Sequence, residues 1–156
     1  MKLTIAAVGR LRAGPESALI GDYLDRAGRT GRKLALGPVR VIEIDERKAA
    51  GADRQAALLV NAIPEGAEAM ALDERGEALT SAAFARLLAD RRDAGVSELA
   101  FLIGGADGHG RAARERAGRL LSLGPMTWPH VLARVMLAEQ IYRAFSILAG
   151  KPYHRA

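Results

Sequence analysis

The sequence predicts an α/β fold, a parallel sheet with helices packed on both faces. Three observations carry this. Five short apolar runs alternate with longer segments of helical period. The run Glu98-Leu99-Ala100-Phe101-Leu102-Ile103 is continuously apolar after its first residue and closes on Gly104-Gly105, as a strand covered on both faces would. Finally, 156 residues that are 49% hydrophobic and 26% charged have the size and balance of one globular domain, spanning 1–156, which excludes a disordered or fibrous chain.

Each element has its own signal. Leu3 to Val8 is β-branched and closed by Gly9; Val39 to Ile44 alternates as a strand with one wetter face; Glu68 to Asp73 is a weaker strand. Leu120 to Gly124 is a short fifth run after the central Glu98–Ile103. Between these runs, Pro15 to Ala27 carries Leu19, Ile20, Tyr23 and Leu24 at helical spacing, and Ala52 to Ala62 carries Ala56, Leu59 and Val60. Ser81 to Ala94 follows a capping Thr80 or Ser81. Gly110 to Leu121 reads as a short basic helix. His130 to Ala149 is the longest periodic stretch, stopped by Gly150 and Pro152, with a stripe wide enough to pack on a second copy of the chain. Ala27 to Pro38 reads as an Arg- and Gly-rich loop.

Composition narrows the chemistry. With no cysteine, the chain has no disulfide, thiolate metal site or cysteine nucleophile. Lys and Arg total 23 against 18 Asp and Glu, a surplus of +5 that suits a polyanion such as RNA, or equally reflects an Arg-rich coding bias. The first apolar run is too short for a signal peptide, and no stretch approaches the ~20 apolar residues of a membrane span. The expectation is a cytoplasmic protein without membrane or metal.

Ligands in open α/β sheets bind beyond the carboxyl ends of strands. Three such loops are notable: Leu72 to Gly76, Ile103 to Gly110, and Leu123 to His130. The second holds four glycines between 104 and 110, in neither a dinucleotide nor a Walker pattern. By itself it reads first as a tight strand-to-helix turn and second as a phosphate or ligand cradle. The third crowds Gly124, Pro125, Met126, Thr127, Trp128, Pro129 and His130. It reads equally as a rigid adenine-binding wall or as core plus a helix-starting proline. In the long helix, Glu139 and Arg143 stand four apart and read as a structural ion pair. The last residues, Lys151-Pro152-Tyr153-His154-Arg155-Ala156, gather a stacking ring, a neutral-pH titrating group and a permanent cation; composition alone favours a floppy tail.

Several ordered motifs run the length of the chain: Met1-Lys2-Leu3 with Ala7-Val8-Gly9, Leu72-Asp73 with Gly76, and Phe101-Leu102-Ile103-Gly104-Gly105 with Gly108. Then come Met126-Thr127 with Pro129-His130, Arg134, Glu139-Gln140-Ile141-Tyr142-Arg143-Ala144, and Pro152-Tyr153-His154-Arg155. With these the chain resembles the RlmH (YbeA-like) family of the SPOUT superfamily. The resemblance implies a homodimeric SPOUT-type domain with a carboxyl-terminal trefoil knot. It implies methyl transfer from S-adenosylmethionine to N3 of a pseudouridine in large-subunit (23S) rRNA of the assembled ribosome. The cofactor contacts it implies fall on Leu72, Gly104 and Gly105, and on Gly124, Pro125, Met126, Thr127, Trp128 and Pro129. Trp128 departs from the smaller apolar residue expected, and Gly108-His109-Gly110-Arg111 is unusually basic and glycine-rich. The same likeness brings a neighbouring subunit's Tyr153, His154 and Arg155 to the methyl donor. His154 is the candidate base, Arg155 a charge stabiliser or phosphate holder, Tyr153 a stacking ring, and Tyr142 or Arg143 lines the site. The competing expectations are a non-catalytic rRNA-binding assembly factor and a SPOUT enzyme acting on tRNA.

Overall fold

The computed structural model describes residues 1–48 and 50–154, with the side chains of Lys48 and His154 outside that description. Five parallel strands form one sheet in the order β2-β1-β4-β3-β5. They are β1 (Lys2–Val8), β2 (Val39–Ile44), β3 (Glu68–Ala78), β4 (Glu98–Ile103) and β5 (Arg119–Ser122). The longer helices are α1 (Pro15–Gly31), α2 (Ala52–Ala62), α3 (Ser81–Asp93), α4 (Arg111–Arg116) and α5 (His130–Leu148).

Strand apolarity and position agree. All six residues of β4 are buried, and β4 lies between β1 and β3, covered by helices on each side. Odd-numbered Leu3, Ile5 and Ala7, with Leu99, Phe101 and Ile103, face one core together with Phe84, Leu88, Leu137, Ile141 and Phe145 of α3 and α5. Even-numbered Ala6 and Val8, with Ala100 and Leu102, face a second core with Ala56 and Leu59 of α2 and Ala113 of α4. The period-two split places helices on both faces, as the sequence predicts. Among the described residues, no helix is long and apolar enough to cross a membrane, and no group of three His, Asp or Glu side chains is placed to hold a metal ion.

Three boundaries differ from the sequence reading. Helix α1 runs on to Gly31 and into a 3₁₀ turn at Arg32–Leu34, where a loop was expected from Ala27. A Cβ on Gly31 would come within 2.7 Å of the Phe145 ring, so this glycine marks close packing on α5 and not a break. Strand β3 does not end at Asp73. Its register against β5 shifts between Leu72 and Glu77, after which Glu77 and Ala78 pair with Leu121 and Ser122. Asp73 to Gly76 is therefore an irregularity within a strand, and Gly76 is there because Leu120 and Leu121 backbone atoms would lie 2.5–2.6 Å from any Cβ. The helix expected over Gly110 to Leu121 stops at Arg116, because Arg119 to Leu121 pair with Met70 to Leu72 of β3.

Candidate functional site

The irregularity within β3 and the carboxyl ends of β4 and β5 open onto a cavity of about 770 Å³, within the roughly 300–1,000 Å³ of small-molecule sites. Its walls are the three loops that the sequence marks. Leu72, Gly104, Gly105, Gly124, Met126, Thr127, Trp128 and Pro129 all line it; Pro125 does not. Trp128 is 39% exposed, which removes the alternative of a core tryptophan at this position.

The glycine loop turns tightly on itself. Gly108 N–H donates to Gly105 O at 3.0 Å, and Gly108 takes a φ of +74°. A Cβ on Gly104 would sit 2.5 Å from Gly108 O. The tight-turn reading holds, since the turn needs glycine, and the turn borders the cavity. Thr127 Oγ1 donates to Glu74 Oε2 at 3.1 Å and ties the third loop to the β3 irregularity.

The first turn of α5 closes the floor. Arg134, 1% exposed, donates to the carbonyls of Val8 and Gly9, the latter at 2.7 Å, and to Glu43 Oε1 at 3.2 Å. It pins the start of α5 to the carboxyl ends of β1 and β2. One turn earlier, His130 lines the cavity; burial and the adjacent Arg134 hold its imidazole below the ordinary histidine pKa. The sequence contained Arg134 and His130 within a motif, but no local pattern marks the burial of a lone arginine. The lining combines main-chain and apolar surface from the glycine and proline loops with polar side chains, Asp73, Glu74, Asp107 and Arg114 among them, a mixture that can seat a nucleoside whose edges are read by backbone.

The candidate catalytic residues gather elsewhere. Tyr142 and Arg143 stand on α5, and Tyr153 on a 3₁₀ turn at Pro152–His154 that folds back against α5. Glu139 is their hub. Its Oε1 accepts from Arg143 Nη2 at 2.6 Å and Nε at 2.9 Å, and from the Tyr153 hydroxyl at 3.2 Å. Tyr142 and Tyr153 rings lie 4.5 Å apart, and the Arg143 guanidinium sits 5.1 Å from the Tyr153 ring centre. The sequence reading of Glu139 as one half of an ion pair with Arg143 holds, yet it missed the hydroxyl fourteen residues on. Burial, then the Tyr23 hydroxyl and Glu139, push the Tyr153 phenol above its ordinary range, so it stays protonated. The Glu139 carboxylate does the same for the Arg143 cation. Lys151 Nζ donates to Thr30 Oγ1 at 2.9 Å, a second tether for a segment whose composition suggested a floppy end. None of Tyr142, Arg143 and Tyr153 lines the 770 Å³ cavity. The side chain of His154 and all of Arg155 lie outside the described residues.

A second, more apolar cavity of about 480 Å³ shares Leu72, Leu121, Leu123 and Gly124 with the first and runs along α5 past Val135, Met136 and Glu139 to Leu19 and Tyr23 of α1. Leu19 is 45% exposed and Leu132 of α5 is 39% exposed. This face fits the stripe on α5 that exceeds the needs of one sheet.

Residues 1–154 match a family model described as a predicted SPOUT methyltransferase. The chain is 61% identical to the ribosomal RNA large subunit methyltransferase H of Dinoroseobacter shibae over 155 residues, 99% of each chain. It is 60% identical to the protein of the same name from Roseobacter denitrificans and 56% identical to that from Ruegeria pomeroyi, again over 99% of each chain.

Proposed function

The chain belongs to the SPOUT methyltransferase family, and on that premise we propose that it methylates large-subunit ribosomal RNA at N3 of a pseudouridine, with S-adenosylmethionine as donor. The observation that carries this reading is the cavity at the β3 irregularity and the carboxyl ends of β4 and β5, walled by every candidate donor contact except Pro125. Leu72, Gly104 and Gly105 hold one side of the donor, and Gly124 with residues 126 to 129 the other. When bound, the donor supplies a sulfonium methyl that is electrophilic without further activation.

What remains for the protein is alignment and the removal of one proton. The imide N3 of pseudouridine is protonated near neutral pH and is a poor nucleophile. His154 takes that proton, and Arg155 offsets negative charge growing on the uracil carbonyl or holds a phosphate. Tyr153, kept protonated, stacks and donates but does not act as the base. Glu139 fixes Arg143 and Tyr153, so the tail leaves α5 from a defined point.

The site is completed by a second copy of the chain. None of a chain's own Tyr142, Arg143 and Tyr153 reaches its own donor cavity, whereas the apolar α1–α5 face supports a homodimer that delivers the partner's tail. The carboxyl-terminal trefoil knot belongs to the same reading; the close passage of Leu120 and Leu121 beside Gly76 is compatible with it. The net charge of +5 and exposed cations such as Arg12 and Arg29 support an rRNA partner, while Arg10, Arg26, Arg111 and Arg114 are offset by Asp45, Asp22, Glu115 and Asp73. With the ribosome as substrate, the place of action is the cytoplasm.

The test is mass spectrometry of rRNA from a deletion strain. One methylated pseudouridine should vanish from large-subunit rRNA and return when the gene is restored. An unchanged rRNA, or a mark lost from tRNA instead, would overturn the assignment. In the purified system, His154→Ala should slow transfer to ribosomes by about a hundredfold or more with donor affinity retained; wild-type turnover would end its role as base.

A further inference from the structure

His109 is a buried titratable side chain for which the mechanism above has no use. It ends the glycine loop, is 6% exposed, and forms part of the donor cavity wall. Its Nε2 lies 2.8 Å from the carbonyl oxygen of Leu72. A carbonyl only accepts, so Nε2 carries the hydrogen and Nδ1 the lone pair. That Nδ1 is buried without a hydrogen-bond partner among the described residues.

The bond joins two segments that together make one wall, β3 at Leu72 and the glycine loop. Leu72 is the last residue of β3 in regular register with β5 before the shift to Glu77, so the sheet does not hold residues 73 to 76. On the other side, the Gly108–Gly105 hydrogen bond closes the glycine loop only upon itself. Arg111 N–H, donating to Asp53 Oδ1 at 3.0 Å, fastens the far end to α2, away from β3. We propose that His109 is a positioning residue for the methyl donor: its bond to Leu72 clamps the glycine loop against β3 and fixes the shape of the wall that Leu72, Gly104 and Gly105 together present to the donor. This rests on the donor-binding reading above.

The ring donates from Nε2 to Leu72 in either charge state, and the Leu72 bond itself favours the cation, but the site as a whole disfavours it. Gaining a proton at Nδ1 would bury an N–H with no acceptor and place a cation in the wall of a site that receives a sulfonium cation. The charged groups around the ring are Asp73 of β3 and Arg114 of α4, which act in opposite directions. Burial dominates and lowers the imidazole pKa, keeping the ring neutral near pH 7. His130 is the other imidazole on the cavity and serves as the internal control.

The experiment titrates S-adenosylmethionine calorimetrically into the full-length protein, the H109L variant and the H109Q variant, from pH 7.5 down to 5.5. Leucine fills the space but cannot donate; the glutamine amide can. H109L should raise Kd and the donor KM about tenfold, the effect of one lost buried hydrogen bond, and leave kcat at saturating donor unchanged. H109Q should recover most of the loss. Wild-type Kd should weaken toward pH 5.5, and that of H109L should be flatter. Should H109L fail to fold, H109Q and the wild-type pH series carry the test: near-native Kd in H109Q with acid weakening in wild type supports the clamp. Wild-type affinity in H109L, loss of affinity in H109Q as great as in H109L, or a fall in kcat without a change in KM would overturn the positioning role. A wild-type protein that binds no donor at any pH would overturn the functional reading itself, and the clamp with it.

Discussion

The two ends of the sheet arrange their polar side chains differently. At the amino ends, Thr4 of β1, Arg40 of β2 and Glu98 of β4 form a closed triangle. Thr4 Oγ1 donates to Glu98 Oε1 at 2.5 Å while accepting from Arg40 Nε at 2.7 Å, and Arg40 Nη2 reaches Glu98 at 2.8 Å. At the carboxyl ends, Arg134 and His109 donate chiefly to main-chain carbonyls, and each keeps one buried nitrogen without a hydrogen-bond partner among the described residues. Side chains that satisfy one another stabilise strands and leave no space. Side chains that grip carbonyls fix the path of the backbone, and here that path encloses 770 Å³. The first arrangement is suited to holding a fold and the second to shaping a site.

This contrast can be broken from either end. Arg134→Met removes three hydrogen bonds at once and leaves Glu43 with the Leu11 N–H but without its cationic partner. It should destabilise the protein by about 3–5 kcal/mol, read from urea unfolding, and a loss below 1 kcal/mol would contradict the pinning role of this arginine. Gly104→Ala forces Gly108 aside at the cavity wall. Methyl transfer by the folded variant should fall about a hundredfold, and the clash with main chain should also cost about 1–3 kcal/mol of stability, so near-native turnover would show that the wall does not need its present shape. Thr4→Val opens the amino-end triangle and should cost about 1–2 kcal/mol, with donor affinity unchanged by calorimetry. A variant weakened in donor binding instead would erase the distinction between the two ends.

The smallest effect is a pH dependence. His109 and His130 both have pKa values lowered by burial, against an unfolded value near 6.5. Below about pH 6.5 the unfolded chain therefore binds more protons than the folded one. Stability should decline as the solution is acidified through that window toward the lowered folded values, by at most about 1.4 kcal/mol per histidine per pH unit. Thermal melts at pH 7 and pH 5 check the sign; a constant melting temperature would place both rings in water.

The same contrast accounts for what could be read from the chain alone. Fully buried strands such as β4 are legible because their apolarity is continuous. The site loops follow from the rule that ligands lie beyond carboxyl ends of strands. Asp73-Glu74-Arg75-Gly76 was misleading because turn residues signal an irregularity as strongly as an end. Only the pairing of Glu77 and Ala78 with β5 decides between them, and that contact is tertiary. Helical spacing gave the Glu139–Arg143 pair, but spacing cannot bring Tyr153 to Glu139 across a chain reversal. Arg134 and His109 were hidden for a related reason. Their roles depend on carbonyls 125 and 37 residues away, and a sequence gives no sign of which carbonyls a fold will deliver.

The most direct measurement is a crystal structure of the protein soaked with S-adenosylmethionine. The adenosine is expected between Gly104-Gly105 and the 124–129 loop, with the glycine loop still fastened to Leu72 by His109. A donor seated elsewhere, or that cavity vacant at saturating donor, would contradict the assignment of the carboxyl-end cavity as the methyl-donor site.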